Sequence, residues 1–318
     1  MRHFMQVHQL SDILPQFKNA VITIGTFDGV HTGHQQIIAQ LKQEAAAING
    51  ETVIITFHPH PRKVIASKPI FMLNTLAEKI ELLEAKGIDH LVVVAFNDDF
   101  ARQSAEAYVK DFLFARFHPH TVIIGYDHRF GRDRQGDYQL LETYGKELGF
   151  AVKDIPEHVL NNITVSSTKI RSALFENDIV TANECLGYDY FFEGMVVEGN
   201  KLGRTIGYPT ANLLIENEEK LIPGNGVYAV TATLATADGF FTHNAMMNIG
   251  VRPTVDGTKR MIEVNIFDFD ADIYGKTVRV SLKKYLRGEV KFNGLPALQA
   301  QLALDKLAAL QYLDQAKD

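Results

Sequence analysis

The chain shows two successive patterns of hydrophobic and polar positions. Up to about residue 185, short apolar runs alternate with segments whose apolar residues recur every three or four positions. The runs predict strands at 21–24, 52–57, 91–95, 121–124 and 150–155. The periodic segments predict helices at 35–47, 76–86, 104–114 and 137–148. Because strands that alternate with helices favour a parallel sheet with crossover helices, we predict a doubly wound α/β domain over residues 1–184.

The pattern changes near residues 184–190, and a second domain is predicted over residues 185–318. Its strand-like runs are β-rich and separated by Gly, Asp or Pro turns. They lie at 191–198, 226–234, 242–250, 261–267 and 277–285. No convincing helical pattern occurs among them before residues 295–313, where leucines form an apolar stripe. We therefore predict a small antiparallel β-barrel with a terminal helix packed on it.

Composition narrows the class of protein. A length of 318 residues suggests about two domains, and a net charge of −6 makes a nucleic-acid backbone an unsuitable main partner. Cys185 is the single cysteine, which excludes an internal disulfide and a cysteine cluster for zinc. The N-terminal residues are too polar for a signal peptide, and no apolar run is long enough to span a bilayer. We expect a cytoplasmic protein that does not bind membranes.

Residues 21–34, V-I-T-I-G-T-F-D-G-V-H-T-G-H, carry the first candidate chemistry. A buried strand runs into Gly25, and a tight turn then leads to a helix start where His31 and His34 share one face. Helix N-termini favour anions, and two imidazoles add hydrogen-bond donors beside the backbone N–H groups. We interpret the segment as a phosphate site. The alternative is a pair of surface histidines on an amphipathic helix.

Three further segments follow predicted strands or start a helix. They are residues 57–62 (F-H-P-H-P-R), 125–132 (G-Y-D-H-R-F-G-R) and 166–171 (S-S-T-K-I-R). Ligands of doubly wound sheets bind at the carboxyl ends of strands, where the first two segments lie. In the third, hydroxyls would cap a helix over residues 169–175 and place Arg171 on its first turn. The alternatives are a proline-rich strand end, a surface loop and a plain helix cap.

These segments resemble a family in their order along the first domain. G-x-F-D-G-x-H-x-G-H, F-x-P-H-P, G-x-D-x-R-F-G-x-x-R-x-G-D and S-S-T-x-I-R are similar to the motifs of HxGH nucleotidyltransferases, in the form used by bacterial bifunctional riboflavin kinase/FAD synthetases. The resemblance implies a Rossmann-like fold and adenylylation of FMN by ATP, with Mg²⁺ and release of pyrophosphate. His128 departs from the family, which usually has Phe there.

The resemblance also implies roles for individual residues of this domain. His31 and His34 hold the ATP phosphates and stabilise charge at the α-phosphorus, while Asp127 contacts the nucleotide. Arg171 binds the triphosphate together with Ser167 and Thr168. Further ATP or phosphate contacts are expected at Gly25, Phe27, Asp28 and Gly33, and flavin contacts at His58, Pro59 and His60.

The second domain holds a separate candidate site. Glycines at 199, 203 and 207 permit close backbone approach to a ligand. If residues 210–213 are extended, Thr210 and Asn212 point to one side and offer neutral oxygens suited to Mg²⁺. In residues 261–267, Glu263 lies on the polar face and is a candidate general base. The alternatives are an ordinary turn into a strand and a solvent-facing Glu on an edge strand.

The second domain resembles riboflavin kinases. The motifs are G-R-x-x-G-Y-P-T-A-N, P-G-N-G-V-Y, N-I-G-V-R-P-T, I-E-V-N-I-F-D-F-D-A-D-I-Y-G and L-R-G-E-V-K-F. The resemblance implies a six-stranded barrel, Thr210 and Asn212 at Mg²⁺–ATP, and Glu263 accepting the proton of the riboflavin 5′-hydroxyl. Asn265 departs from the more common His. ATP contacts are expected at Gly203, Arg204, Gly207 and Pro209, and flavin contacts at Asn248, Arg252, Arg287 and Glu289.

The leading hypothesis is one enzyme that converts riboflavin to FMN and FMN to FAD. Its partners are riboflavin, FMN, FAD, ATP, ADP and pyrophosphate, and self-association is left open. A second hypothesis keeps the first domain as a nucleotidyltransferase for another phosphorylated substrate, with the second domain as a regulator. A third, non-enzymatic hypothesis is a flavin-binding carrier or sensor, which binds flavin without consuming ATP.

Overall fold

The structure is a computed structural model that describes residues 4–11, 13–65, 70–125, 128–155, 165–199, 202–236, 239–254 and 257–315. For residues 202, 252–254 and 257–259 it describes the backbone alone. The chain divides into two compact units, Met1–Ser166 and Ser167–Asp318.

A six-stranded parallel sheet forms the centre of the first unit. Its strands are β1 (Gln6–Gln9), β2 (Val21–Ile24), β3 (Thr52–His58), β4 (His90–Ala95), β5 (Thr121–Gly125) and β6 (Ala151–Ile155), in the order β1-β4-β3-β2-β5-β6. The five strands expected from the apolar runs are confirmed. The edge strand β1 was missed because it is short, polar and mostly exposed.

Helices cover both faces of this sheet. They are α1 (Thr32–Ala47), α2 (Pro61–Ile65), α3 (Leu76–Glu84), α4 (Asp98–Ala101), α5 (Ala105–Ala107, the π-helical Tyr108–Phe114, and Ala115–Phe117) and α6 (Tyr138–Leu148). Alternate residues of each central strand enter different cores, so that Ile22 and Ile24 pack on one side and Val21 on the other. Burial on both faces confirms the doubly wound α/β fold.

The strand order positions a binding crevice in this unit. From β2 the chain proceeds to β3 and β4 on one side, then returns to add β5 and β6 on the other side of β2. The order therefore reverses between β2 and β5. In doubly wound folds, ligands bind beyond the carboxyl ends of the strands at such a reversal. Gly25 directly follows β2 at this end.

The second unit is a closed antiparallel barrel with helices packed on it. Its strands are β7 (Phe191–Val197), β8 (Ala211–Leu214), β9 (Gly226–Thr236), β10 (Gly239–Thr254), β11 (Gly257–Ile266) and β12 (Thr277–Arg287), in the order β10-β11-β8-β7-β12-β9. The terminal helix is α10 (Leu295–Gln315). The predicted barrel and terminal helix are confirmed. The expectation of no helix between the first strands and residue 295 is wrong, because α9 (Leu202–Thr205) forms a single turn.

Two helices precede the barrel and pack against it: α7 (Ser167–Phe175) and α8 (Ile179–Leu186). Asn183 of α8 donates its amide N–H to the Leu282 carbonyl at 2.8 Å, and its own side-chain oxygen accepts from the Tyr190 N–H at 2.8 Å. The Tyr228 hydroxyl donates to Asn177 Oδ1 at 2.6 Å. None of the helices in the described ranges combines the length and apolarity that a membrane span needs.

Candidate functional sites

The loop between β2 and α1 has an unusual backbone. Phe27, Gly29 and Val30 all have positive φ, at 47°, 87° and 36°. The left-handed region is rare for a β-branched residue such as Val30, and each such position costs on the order of 1–3 kcal/mol. Phe27 and Val30 are fully buried in the core beneath α1. The surrounding fold therefore holds the loop in a conformation that an isolated peptide would avoid.

Two buried charged groups hold this loop. Asp28 accepts the backbone N–H groups of Leu73 at 3.0 Å and Asn74 at 3.3 Å. Lys79 of α3 donates its ammonium N–H to the Thr26 carbonyl at 2.7 Å. Lys79 is not among the site residues predicted from the sequence. The available signal was its position between Leu76 and Leu83, on the apolar face of an amphipathic helix.

His31 and His34 come together at the start of α1, as predicted. His31 is the N-cap, and its Nδ1 accepts the His34 backbone N–H at 3.4 Å. The two rings stack with their centroids 3.7 Å apart and an interplanar angle of 17°. Because the cap lies at His31, α1 begins at Thr32, three residues before the start of the predicted helix.

The His34 imidazole is incompletely hydrogen-bonded, and its surroundings favour the neutral form. Its Nδ1 is buried and has no hydrogen-bond partner among the described residues. Burial lowers the pKa of His34 well below 6.5, and electrostatic interactions with His31 and Lys79 lower it further. A buried polar atom without a partner is uncommon in native proteins. Beside the N–H groups of a helix N-terminus, it suits a bound phosphate.

The structure also places other residues of the first unit that the sequence predicted. His58 closes β3, is followed by a cis peptide bond to Pro59, and has a pKa lowered by burial and by Lys79. His60 Nδ1 accepts the Arg62 N–H at 3.1 Å. Gly33 is buried in the first turn of α1. Asp127 lies outside the described residues.

The S-S-T-x-I-R segment forms the beginning of α7, which starts at Ser167 instead of residue 169. Ser167 and Thr168 therefore lie inside the first turn of the helix and do not precede it. Arg171 follows on the same helix and is buried. By its contacts α7 belongs to the second unit, whereas the sequence pattern grouped it with the first domain. Its participation in a common site with His31 and His34 stays a prediction.

In the barrel, three predicted residues form a row across adjacent strands. Glu263 of β11 pairs with Asn212 of β8 on one side and with Asn248 of β10 on the other. Directly opposed residues of antiparallel strands point to the same face, with Cβ atoms about 4.5–5.5 Å apart. The register thus brings together the predicted base, a predicted metal ligand and a predicted substrate contact.

Asn212 has the features expected of a ligand for a hard cation. Its side chain is buried, and its Oδ1 has no hydrogen-bond partner among the described residues. The backbone of Gly199 approaches so closely that a Cβ there would overlap the Asn212 amide. Neutral amide oxygens belong to the ligands that Mg²⁺ accepts when it also binds waters and phosphates. The residues present therefore fit Mg²⁺.

The segment that leads to Asn212 is fixed by backbone contacts. The Asn265 amide donates to the Pro209 carbonyl at 2.6 Å, immediately before Thr210. The Tyr208 N–H donates to the Gly203 carbonyl at 2.8 Å, and Gly207 has a φ of 82°, in the left-handed region that glycine favours. Asn265 therefore supplies a donor to this segment.

The remaining predicted flavin contacts lie near the end of β12 and in β10. Arg287 forms a bidentate ion pair with the buried Asp305 of α10, at 2.8 and 2.6 Å. Glu289 accepts the Asn225 amide N–H at 3.4 Å and lies over Gly250, where a Cβ would overlap it. Only the backbone of Arg252 is described. Flavin contacts by these residues stay predictions.

Comparisons with known proteins match the two parts of the chain to two families. A family model described as FAD synthetase matches residues 14–169, and one described as riboflavin kinase matches residues 186–313. A protein of Haemophilus influenzae is 37% identical over 289 residues, which cover 91% of this chain and 92% of that protein. A protein of Escherichia coli K12 is 35% identical over 318 residues, covering 100% and 99%. Both are named bifunctional riboflavin kinase/FMN adenylyltransferase.

A solved structure is also similar along nearly the whole chain. It is titled a macrolide-efflux protein from Streptococcus pneumoniae, and it matches with a TM-score of 0.84 and 30% identity over 95% of this chain and 98% of that one. Macrolide efflux is said of the Streptococcus pneumoniae protein alone and is not transferred to this chain. With relatives above 30% identity over almost their full lengths, this chain belongs to the family of bifunctional riboflavin kinase/FMN adenylyltransferases.

Proposed function

We propose that this chain phosphorylates riboflavin to FMN and then adenylylates FMN to FAD, using ATP in both reactions. The observation that carries the proposal is the presence of two separate sites in one chain. The first unit has stacked histidines at a helix N-terminus beside the strand-order reversal. The barrel has a carboxylate flanked by two amides in cross-strand register.

In the kinase reaction, Glu263 accepts the proton of the riboflavin 5′-hydroxyl while that oxygen attacks the γ-phosphorus of ATP. ADP leaves, and FMN is the product. A positioned general base of this kind contributes about 10²–10⁴-fold to the rate. Thr210 and Asn212 would hold Mg²⁺, which neutralises charge on the phosphates when it is bound. Asn265 keeps the Pro209–Thr210 segment in place.

In the second reaction, the phosphate of FMN attacks the α-phosphorus of ATP in line, and pyrophosphate leaves. The attacking phosphate is already ionised near pH 7, so this step needs no general base. The protein's task is to position the groups and to stabilise charge at the α-phosphorus. His31, His34 and the first N–H groups of α1 supply the donors, and the low pKa of His34 keeps its imidazole neutral.

The other residues of the two sites have supporting roles in this proposal. Arg171, with Ser167 and Thr168 on the first turn of α7, binds the triphosphate, and Asp127 contacts the nucleotide. Gly203, Arg204, Gly207 and Pro209 line the ATP side of the barrel site. Flavin is bound by His58, Pro59 and His60 in the first site and by Asn248, Arg252, Arg287 and Glu289 in the second.

Incubation of the purified chain with riboflavin, ATP and Mg²⁺, followed by chromatography of the flavins, tests this function. FMN should accumulate first and FAD should follow. FMN with ATP should give FAD directly, and EDTA should stop both reactions. Flavin binding without ATP consumption would support a carrier. Kinase activity without FAD formation would leave the first unit as a nucleotidyltransferase for another substrate.

A further inference from the structure

We propose that Lys79 is a positioning residue for the adenylyltransferase reaction, and that its ammonium group locks the β2–α1 loop that leads into His31 and His34. The inference rests on the proposed function of the first unit. Lys79 is only 4% exposed, although lysine is rarely buried unless it has partners. An apolar side chain of similar length would fill the same space at a lower cost of desolvation. The buried charge therefore calls for a role other than packing.

The contacts of Lys79 join three elements at the carboxyl end of the sheet. Its Nζ lies 2.7 Å from the Thr26 carbonyl oxygen and 3.2 Å from the Thr56 hydroxyl of β3. The Thr56 hydroxyl also donates to the Thr26 carbonyl, at 3.1 Å. The three groups form a closed triangle of hydrogen bonds. Thr26 immediately precedes Phe27, where the backbone enters the left-handed region.

Asp28 attaches the same loop to the residues before α3. Here the loop accepts hydrogen bonds through a side chain, whereas at Lys79 it accepts one through the Thr26 carbonyl. The buried Asp28 carboxylate accepts the N–H groups of Leu73 and Asn74, just before α3 begins. The negative charge of Asp28 also favours the protonated form of Lys79. One loop is thus fixed by a donor from α3 and by donors from the residues before α3. Loss of the ammonium group removes one of these attachments and the charge that balances Asp28.

Several titratable groups face Lys79. They are Asp28 in the loop, His34 on α1 and His58 at the end of β3. Burial lowers the pKa of Lys79 to about 8, against the opposing effect of Asp28. Above that pH the ammonium group loses its charge, and its hold on the Thr26 carbonyl weakens. The rate of FAD formation should therefore decline above about pH 8 in the native protein.

The test compares Lys79→Met with Lys146→Met, a control at an exposed lysine of α6 in the same unit. Both are assayed for FAD formation from FMN, with circular dichroism and thermal unfolding as the measure of folding, because riboflavin phosphorylation reports on the barrel unit alone. We expect Lys79→Met to lower kcat for FAD formation on the order of a hundredfold, since misplacement of reacting groups by about 1 Å has effects of this size. Kinase activity should be retained, and Lys146→Met should behave as the native protein. The rate decline above pH 8 should disappear in Lys79→Met.

Thr56→Val provides a second, nearly isosteric variant that keeps the ammonium group but opens the triangle. It should also lower kcat for FAD formation, but by less than Lys79→Met does. If Lys79→Met forms FAD within twofold of the native rate, the inference is wrong. Should Lys79→Met fail to fold, native FAD kinetics in Thr56→Val would overturn it instead. A native protein that forms no FAD would overturn the proposed function itself.

Discussion

Among single residues, Glu263 shows how much of a side chain's surroundings a sequence pattern can predict. The alternation of polar and apolar positions in residues 261–267 predicted that Glu263 lies apart from the buried Ile262 and Val264, and burial agrees. The pattern could not show what lies opposite. Only the register of β8, β11 and β10 places Asn212 and Asn248 beside Glu263. Strand pairing depends on contacts far apart in the chain, which periodicity does not contain.

The carboxylate of Glu263 leads to a prediction about Glu263→Gln. The amide keeps the size and most of the hydrogen bonding of the side chain but cannot accept a proton. Riboflavin phosphorylation should fall by about 10²–10⁴-fold, the contribution of a general base. The rate is measured by chromatography of FMN, with circular dichroism as a check of folding. Normal phosphorylation by the folded variant would show that this carboxylate is structural, and Asp268 or Asp270 would be the next candidate.

Lys79 shows what the sequence pattern could not predict about a single residue. Its partners Thr26 and Thr56 lie 53 and 23 residues away in the chain. The helical pattern places Lys79 on an apolar face, where a lysine usually extends its head towards water. Nothing in that pattern indicates that a carbonyl and a hydroxyl from two other elements meet it there. The site as predicted was therefore incomplete in its supporting residues.

Among the elements, α1 carries the proposed phosphate site of the first unit at its N-terminus. The sequence pattern predicted the helix and both histidines correctly but began the helix at residue 35, where the helix-like periodicity becomes evident. The structure begins α1 at Thr32, with His31 as the cap. Histidine is not among the preferred N-cap residues, so capping rules gave no signal for the earlier start.

The half-buried imidazole of His34, whose pKa is lowered, makes stability depend on pH. Its pKa in the folded protein lies well below the value of 6.5 expected when it is unfolded. Between these values the unfolded state binds more protons, so acidification below pH 6.5 lowers the free energy of unfolding, by up to about 1.4 kcal/mol per pH unit. Urea unfolding at pH 7 and pH 5.5 measures the effect. His34→Gln should lose less stability on acidification than the native protein; an equal loss would contradict the assigned neutral state.

For the whole molecule, the two fold classes followed from the change of period near residue 185. The alternation of strands and helices and the later run of strands are properties of long segments, which sequence patterns capture well. The boundary itself is harder to predict. Helices α7 and α8 continue the α/β pattern along the chain, yet Asn177 and Asn183 attach them to barrel residues. Such contacts appear only in the folded structure.

These contacts predict different behaviour for two fragments. Residues 167–318 retain Asn183 and its bonds to Leu282 and Tyr190, whereas residues 185–318 lose them. Both fragments contain the complete barrel row of Asn212, Glu263 and Asn248, so both should phosphorylate riboflavin. The longer fragment should unfold at a higher temperature, by several degrees for each 1 kcal/mol or so of lost hydrogen bonding. Equal unfolding temperatures would place the boundary at residue 185.

The central claim is that one chain carries two catalytic sites that act independently on successive flavins. Mixing His31→Ala with Glu263→Gln tests it most directly. His31→Ala should convert riboflavin to FMN but lose about 3 kcal/mol of stabilisation in the second step, a hundredfold or more in rate. Glu263→Gln should make FAD from supplied FMN but not from riboflavin. With riboflavin, ATP and Mg²⁺, neither variant alone should form appreciable FAD, and the mixture should form it through released FMN. Loss of both activities in either folded variant would contradict the account.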